Sequence, residues 1–185
     1  MKIGLFIIIG IVLGYIVKMI VNWLKIDNYI MSRKNFFLEA IGAFMVTWSA
    51  VNLGIEEAVI FSIIALTLAG ISVIDFHTFE IPLIFIIIGV VASIAGILLK
   101  VISLSAAFWG IFVGALIPLA IMLILWAITK RQGMGYGDIQ LGIVLGAWLG
   151  PMRMALTLFG ASLLSLLAWL GVSLFRGFDK DRAIP

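Results

Sequence analysis

Apolar residues dominate the chain in long runs, and short polar or glycine-containing segments separate these runs. A run of about 20 apolar residues can cross a hydrocarbon core of about 30 Å as an α-helix. Seven runs approach this length, so the pattern predicts an all-α fold, a polytopic transmembrane bundle of about seven helices. The predicted spans are residues 3–23, 36–53, 58–75, 81–101, 106–128, 139–154 and 155–175.

The distribution of Lys and Arg predicts the orientation of these spans. Cytoplasmic loops of membrane proteins carry an excess of both residue types. Alternate loops hold Lys25 with Arg33 and Lys34, Lys130 with Arg131, and Arg176 with Lys180 and Arg182. The opposite side holds only Lys2, Lys100 and Arg153. The bias places the N-terminus outside, with odd-numbered helices running inward.

Composition narrows the possible chemistry. The chain is 64% hydrophobic and 11% charged, with a mean hydropathy of +1.30, whereas soluble domains are about 45–50% apolar and about 25% charged. No linker interrupts the runs, so residues 1–185 are predicted to form a single domain. With no cysteine and one histidine, no metal and no cofactor are expected. The net charge of +3 lies in short loops, which indicates a lipid bilayer and no nucleic acid as the partner.

Asp138 is the most informative charged residue. It ends the run Gly-Met-Gly-Tyr-Gly-Asp at 133–138, directly before the sixth span, and a carboxylate at bilayer depth usually faces a bundle interior or a watery cavity. Glycines recur every four residues after it, at Gly142, Gly146 and Gly150. Such a stripe lets a neighbouring helix approach closely, so Asp138 is expected to point toward a partner helix.

A second carboxylate, Asp75, ends the third span, and the predicted orientation places it at the same cytoplasmic face as Asp138. Two carboxyl groups held close do not both ionise readily, so the pair holds one proton. This is the state of an aspartic protease, in which one carboxylate activates a water and the other carboxyl group donates a proton. Gly135 and Gly137 are expected to permit positive φ and to leave room for a substrate backbone beside Asp138.

Each of these residues also has a purely structural interpretation. Asp138 can be the N-cap of the sixth helix, and Asp75 can be an interfacial charge at a helix end. His77 and Glu80 lie in the loop after Asp75 and are expected to be solvated anchors.

Other positions are expected to serve packing or solvation alone. Lys18 and Glu39, near inner helix ends, are expected to extend their charged groups toward the interface. Two glycine pairs at a spacing of four are expected to pack helices together. They are Gly10 with Gly14, and Gly110 with Gly114.

The run at 133–141, which continues through the glycines that follow, resembles the GxGD signature of type IV prepilin peptidases, bacterial membrane aspartic proteases. Ile74-Asp75 with Ile81-Pro82 resembles the first catalytic motif of that family, in which Ile/Leu-Pro follows an Asp at this interval. The resemblance covers about residues 58–185. Two motifs in this order are far more specific than a lone GxGD.

This resemblance implies a role for the chain and for particular residues. It implies cleavage of the leader from prepilin-like precursors, just after a glycine, at the cytoplasmic face of the bacterial cytoplasmic membrane. It casts Asp75 and Asp138 as the catalytic pair, with Gly135, Gly137 and Pro82 supporting the substrate-binding loops. The catalytic core is then about residues 58–175.

The chain also departs from the family pattern. Many relatives carry an insert between the first two helices, with two CxxC pairs that bind zinc, associated with N-methylation of the new pilin N-terminus. Here that loop is about residues 24–35 and has no cysteine, so a short form with peptidase and without methyltransferase activity is expected. Leu83 stands where an Asp often follows the Pro, and Gln140 stands where a Lys is common.

Two other functions are compatible with intramembrane carboxylates. A proton or cation transporter can use such a pair, but transporters commonly show internal repeats, and none is visible. An inactive pilus or secretion assembly protein has no need of both aspartates. The prediction is therefore a membrane aspartic endopeptidase, with its oligomeric state left open.

Overall fold

The computed structural model describes residues 2–130 and 135–176, which form helices joined by short connections and contain no strand. The helices are α1 (Lys2–Leu24), α2 (Phe37–Asn52), α3 (Ile55–Thr78), α4 (Leu83–Leu98), α5 (Leu104–Thr129) and α6 (Tyr136–Arg176). A short 3₁₀ turn (Ile26–Asn28) lies in the connection between α1 and α2. The predicted all-α bundle is confirmed, because every predicted span overlaps a helix over most of its length.

The longest helix, α6, is interrupted at Gly150, whose φ of 73° and ψ of 174° are not helical. Pro151 follows and has no amide hydrogen to donate, so the residue pair ends one helical segment and begins another. The segments 136–149 and 151–176 correspond to the sixth and seventh predicted spans. The predicted boundary between residues 154 and 155 was wrong by about four residues, because a Gly-Pro break within an apolar run is invisible to hydropathy.

The chain reverses direction at this break, as contacts with α5 show. A Cβ added to Gly114 of α5 would meet the backbone of Gly142, which precedes the break. The same Cβ would lie 3.3 Å from the Cε atom of Met154, which follows the break. Twelve residues of straight helix would separate these two positions by about 18 Å. The second segment therefore turns back along α5.

Four helices are long and apolar enough to cross a membrane, namely Ile3–Leu24, Ile55–Thr78, Leu104–Thr129 and Tyr136–Leu174. Two shorter helices, Phe37–Asn52 and Leu83–Leu98, are also apolar. Large hydrophobic side chains are exposed along these helices, and extensive exposed apolar surface of this kind is typical of a lipid-facing protein. The molecule is a multi-pass membrane protein.

Glycines allow the first two helices to pack closely, as the sequence predicted. A Cβ on Gly10 of α1 would collide with the backbone of Gly42 on α2, and a Cβ on Gly14 would collide with the backbone of Leu38. Without side chains at these positions, the helix backbones approach to direct contact. The packing role predicted for Gly10 and Gly14 is confirmed.

Lys18 and Glu39 form a buried ion pair between α1 and α2. Their Nζ and Oε1 atoms are 2.9 Å apart, and the residues are only 4% and 6% exposed. The prediction that both charged groups extend toward the interface was wrong. Each side chain projects from its helix toward the other helix, so the two charges neutralise each other inside the protein.

A hydrophobic core between the first four helices fixes α3 against α4. Ile74 and Phe85 are each 1% exposed at its centre, and the Phe85 ring packs on Gly70 of α3. Ile81 and Leu141 pack against the same cluster. The core thus extends to the end of α3 and to the start of α6, where the candidate catalytic residues lie.

Candidate active site

Asp75 lies in the last turn of α3, half-buried, three residues before the helix ends at Thr78. Phe79 ends the helix in the left-handed region, with φ 56° and ψ 28°, and donates its backbone N–H to the carbonyl of Asp75 at 2.9 Å. The structural interpretation of Asp75 as a charge at a helix end therefore describes its position. It does not exclude a chemical role.

The connection from α3 to α4 places Ile81 and Pro82, from the first motif, beside the GxGD motif that ends at Asp138. Pro82 is buried and precedes the first residue of α4, and its carbonyl accepts the N–H of Phe85 at 3.1 Å. Its neighbour Ile81 packs against Gly137, where an added Cβ would lie 3.0 Å from the Ile81 Cβ atom. The two sequence motifs are thus in direct contact.

Gly137 does not take the positive φ that was expected of it. Among the described residues, the glycine with positive φ is Gly150, and Gly137 has helical geometry as the second residue of α6. A glycine is needed at position 137 for lack of space and not for its backbone conformation, because Ile81 lies against the position that a Cβ atom would take. Gly133 and Met134, which begin the motif, lie outside the described residues.

Asp138 is the third residue of α6, and its side chain is exposed. Its Oδ2 atom accepts the backbone N–H of Gly135 at 3.1 Å, and its own N–H donates to the Gly135 carbonyl at 3.2 Å. In a capping box, the side chain of the third helical residue accepts the backbone N–H of the N-cap residue, as Asp138 does here with Gly135. The carboxylate also lies at the positive end of the helix dipole. Asp138 is therefore not the N-cap itself, but it does stabilise the helix start.

Two neighbouring helices hold α6 in place. Gly142 and Gly146 face the backbones of Gly114 and Gly110 on α5, in contact too close for any side chain. On another side, Val144 fills the space beside Gly89 of α4. The predicted glycine stripe thus packs against α5, while Asp138 at its beginning is exposed and interacts with α3.

The structure brings Asp75 and Asp138 together. They lie close enough for the charge of Asp138 to act on the Asp75 carboxyl group, although they belong to α3 and α6. Asp138 is accessible to water and Asp75 is partly so. Within residues 2–130 and 135–176, no group of three or more His, Asp or Glu side chains could hold a metal ion.

His77 and Glu80 are exposed beside this site, but His77 has partners. Its Nδ1 atom is 2.8 Å from the Val73 carbonyl, and its ring stacks on Tyr29 with ring centroids 4.2 Å apart. Tyr29 was missed in the sequence, because it is separated from Asp75 by more than 40 residues and belongs to no motif.

Comparisons with known proteins give consistent results. The model of the type IV leader peptidase family matches residues 59–170. The prepilin leader peptidase/N-methyltransferase of Aeromonas hydrophila is 33% identical over 84 residues, 45% of this chain and 29% of that protein. Proteins of the same name from Dichelobacter nodosus and Pseudomonas aeruginosa are 32% identical over 90 residues and 35% identical over 83 residues. These alignments cover 49% and 45% of this chain, and 30% and 28% of the relatives.

The chain spans less than a third of the length of the curated relatives that it matches. No solved structure matches it significantly. The family match covers more than half of the chain and includes both Asp75 and Asp138. The chain therefore belongs to the type IV leader peptidase family.

Proposed function

We propose that the protein is a membrane aspartic endopeptidase that removes the leader peptide from prepilin or prepilin-like precursors. The observation that carries the proposal is that the two motifs meet: Ile81 packs against Gly137, and Asp138 lies close enough for its charge to act on Asp75. Two separate motifs of a leader peptidase family chain each contribute one carboxyl group to a single site. A role in helix capping alone would not require the two carboxyl groups to lie near each other.

The chemistry follows from the pair holding one proton. The ionised carboxylate removes a proton from a water molecule as the water oxygen attacks the scissile carbonyl carbon. The protonated carboxyl group donates to the developing oxyanion and then to the leaving amine. At the end, the peptide bond is broken, the water is consumed, and the pair again holds one proton.

Neighbouring residues support this reaction by fixing the geometry. Gly135 holds one carboxylate oxygen of Asp138 through its backbone N–H. Gly137 lets Ile81 approach, and Pro82 is the N-cap of α4 directly after that contact. We assign these residues to the support of the loops that carry the catalytic pair, within a core of about residues 58–175.

The proposed active site faces the cytoplasm. The Lys and Arg bias of alternate loops supports this orientation, since Lys25, Arg33 and Lys34 belong to the connection that contacts the end of α3. A substrate leader in the cytoplasm would then reach Asp75 and Asp138 without crossing the bilayer.

We further propose that the protein is a peptidase without methyltransferase activity. The curated relatives carry both names, but the connection between α1 and α2 holds only residues 25–36 and the chain has no cysteine. A folded zinc-binding insert cannot be built from it.

The test is incubation of purified protein, in detergent or liposomes, with a prepilin leader peptide and mapping of the cut by mass spectrometry. The expected product ends just after a glycine, and Asp75→Asn and Asp138→Asn are the matched inactive controls. A wild-type protein that leaves the peptide intact but drives proton or cation flux in liposomes would be a transporter, and the proposal would fail.

A further inference from the structure

The connection between α1 and α2, residues 25–36, is held by buried polar contacts. The ammonium group of Lys18 donates to the carbonyls of Asn35 at 2.6 Å and Arg33 at 3.3 Å, and to Glu39 Oε1 at 2.9 Å. An ammonium group has three hydrogens, so this side chain is fully engaged. Three points of the chain are thereby fixed around one buried charge.

A second anchor lies one helical turn further along α1. Asn22 accepts the N–H of Met31 through Oδ1 at 2.7 Å and donates from Nδ2 to the Met31 carbonyl at 3.4 Å. Met31 is only 2% exposed and belongs to the hydrophobic core. Residues spaced by four share a helix face, so Lys18 and Asn22 present one anchoring face to the connection.

Between these anchors and the end of α1, the backbone takes a defined path. Lys25, Asp27 and Asn28 all have positive φ, and Tyr29 returns to an extended conformation with φ −67°. Positive φ is uncommon outside glycine, although Asp and Asn adopt it more readily than other residues, and it persists where surrounding contacts hold the backbone. The path delivers the Tyr29 ring onto the His77 ring, at 4.2 Å between centroids and 26° between planes.

His77 belongs to the same last helical turn as Asp75. The last turn of a helix lacks part of its backbone hydrogen bonds and frays readily. Here Phe79 bonds back to the Asp75 carbonyl, and Thr78 Oγ1 bonds to the Ile74 carbonyl at 3.0 Å. The Tyr29 stack adds a contact from outside the helix, and a pair of this kind shifts an equilibrium by about 2- to 13-fold.

We propose that Tyr29 and His77 are positioning residues, and that the anchored α1–α2 connection braces the last turn of α3 and so keeps Asp75 in reach of Asp138. The inference rests on the proposed peptidase function for its effect on rate. The stabilising contact of Tyr29 with the end of α3 does not depend on the proposed function, because hydrogen exchange can measure it without any substrate.

The test compares three variants of the full chain. Tyr29→Ala removes the stack, and Tyr29→Phe keeps the ring and serves as the conservative rescue. Phe108→Ala is the matched control, because it removes one ring of an edge-to-face pair with Trp109 at the start of α5, far from the site in sequence. Leader cleavage, thermal stability in detergent and amide exchange of residues 75–79 are measured for each.

The expected result is a lower kcat for Tyr29→Ala, by up to the same factor of about 2 to 13, with little change in KM and with near wild-type values for Tyr29→Phe and Phe108→Ala. Exchange of the Phe79 amide, which bonds to the Asp75 carbonyl, should be about 2- to 13-fold faster in Tyr29→Ala alone. A purely structural role would instead lower thermal stability and leave kcat of the folded fraction unchanged.

Three results would overturn the inference: unchanged kcat in Tyr29→Ala, unchanged exchange at Phe79, or an equal loss in Tyr29→Phe. If the wild type cleaves no leader peptide, the proposed function fails. The exchange comparison then decides on its own whether Tyr29 holds the end of α3.

Discussion

The contact between Gly137 and Ile81 can be tested by adding one methyl group. Gly137→Ala would place a Cβ 3.0 Å from the Cβ of Ile81 and 3.4 Å from its Cγ1 and Cδ1 atoms. Ordinary carbon contacts lie at about 3.5–4.0 Å. The first turn of α6, or the connection between α3 and α4, must therefore move by a few tenths of an ångström.

Gly137→Ala should lower both the free energy of unfolding and the rate of leader cleavage. Overpacking costs about 1–3 kcal/mol, and the higher helix propensity of alanine offsets up to about 1 kcal/mol. The free energy of unfolding should therefore fall by about 0–3 kcal/mol. A catalytic group misplaced by about 1 Å can cost about 100-fold in rate. A shift of a few tenths of an ångström should therefore lower leader cleavage by about 3- to 10-fold.

Two other glycines of α6 provide matched controls for the same substitution. A Cβ on Gly160 meets nothing within 4 Å, so Gly160→Ala should leave cleavage unchanged and stability equal or slightly higher. A Cβ on Gly146 would collide with the Gly110 carbonyl, so Gly146→Ala should lower thermal stability most, because both contacting groups are backbone.

Leader cleavage and thermal unfolding in detergent, measured for the three variants, separate these roles. Cleavage by Gly137→Ala at the rate of Gly160→Ala would refute the claim that the Ile81 contact sets the geometry of the site. A loss of stability in Gly137→Ala equal to that in Gly146→Ala would make Gly137 an ordinary packing position.

Three further outcomes are expected. Asp75→Asn and Asp138→Asn should each abolish leader cleavage while leaving folded protein in the membrane, since each keeps the side-chain size; near wild-type cleavage by either would assign that aspartate a structural role. Purified wild-type protein should transfer no methyl group from S-adenosylmethionine to its cleaved product, and labelled product would contradict this. Lys18→Met should leave Glu39 buried and unpaired, and should destabilise the protein by about 3–5 kcal/mol. A loss of about 1 kcal/mol would lower the unfolding temperature by roughly 2 °C. An unfolding temperature within about 2 °C of wild type would therefore show that the ion pair is dispensable.

Hydropathy predicted the helices well, because each apolar run must bury its backbone hydrogen bonds in helical form to cross a bilayer. Glycine spacing predicted the packing of Gly10 and Gly14, since close backbone approach needs small residues at that interval. Both signals are local in sequence. The catalytic assignment of Asp75 and Asp138 stays a prediction, although the structure brings the two carboxyl groups together.

Features that depend on distant partners could not be read from the sequence. Nothing near Lys18 in the sequence indicates that Glu39 neutralises it, because the pair forms only when α1 packs on α2. Tyr29 reaches His77 through a connection with several residues at positive φ, which no periodicity describes. The positive φ expected of Gly137 was wrong for the same reason, since the space that this glycine leaves is filled by Ile81 from another motif.

The geometry gives a physical meaning to the interval between Asp75 and Pro82. Three residues carry the chain from Asp75 to the end of α3, and Phe79 then reverses its direction in the left-handed region. Two residues later Ile81 reaches Gly137, and Pro82 is the N-cap from which α4 begins at Leu83. One residue more or less in this path would move Ile81 off Gly137 and separate the turn that carries Asp75 from the turn that carries Asp138. The spacing of the first motif therefore sets the distance at which the second motif meets it.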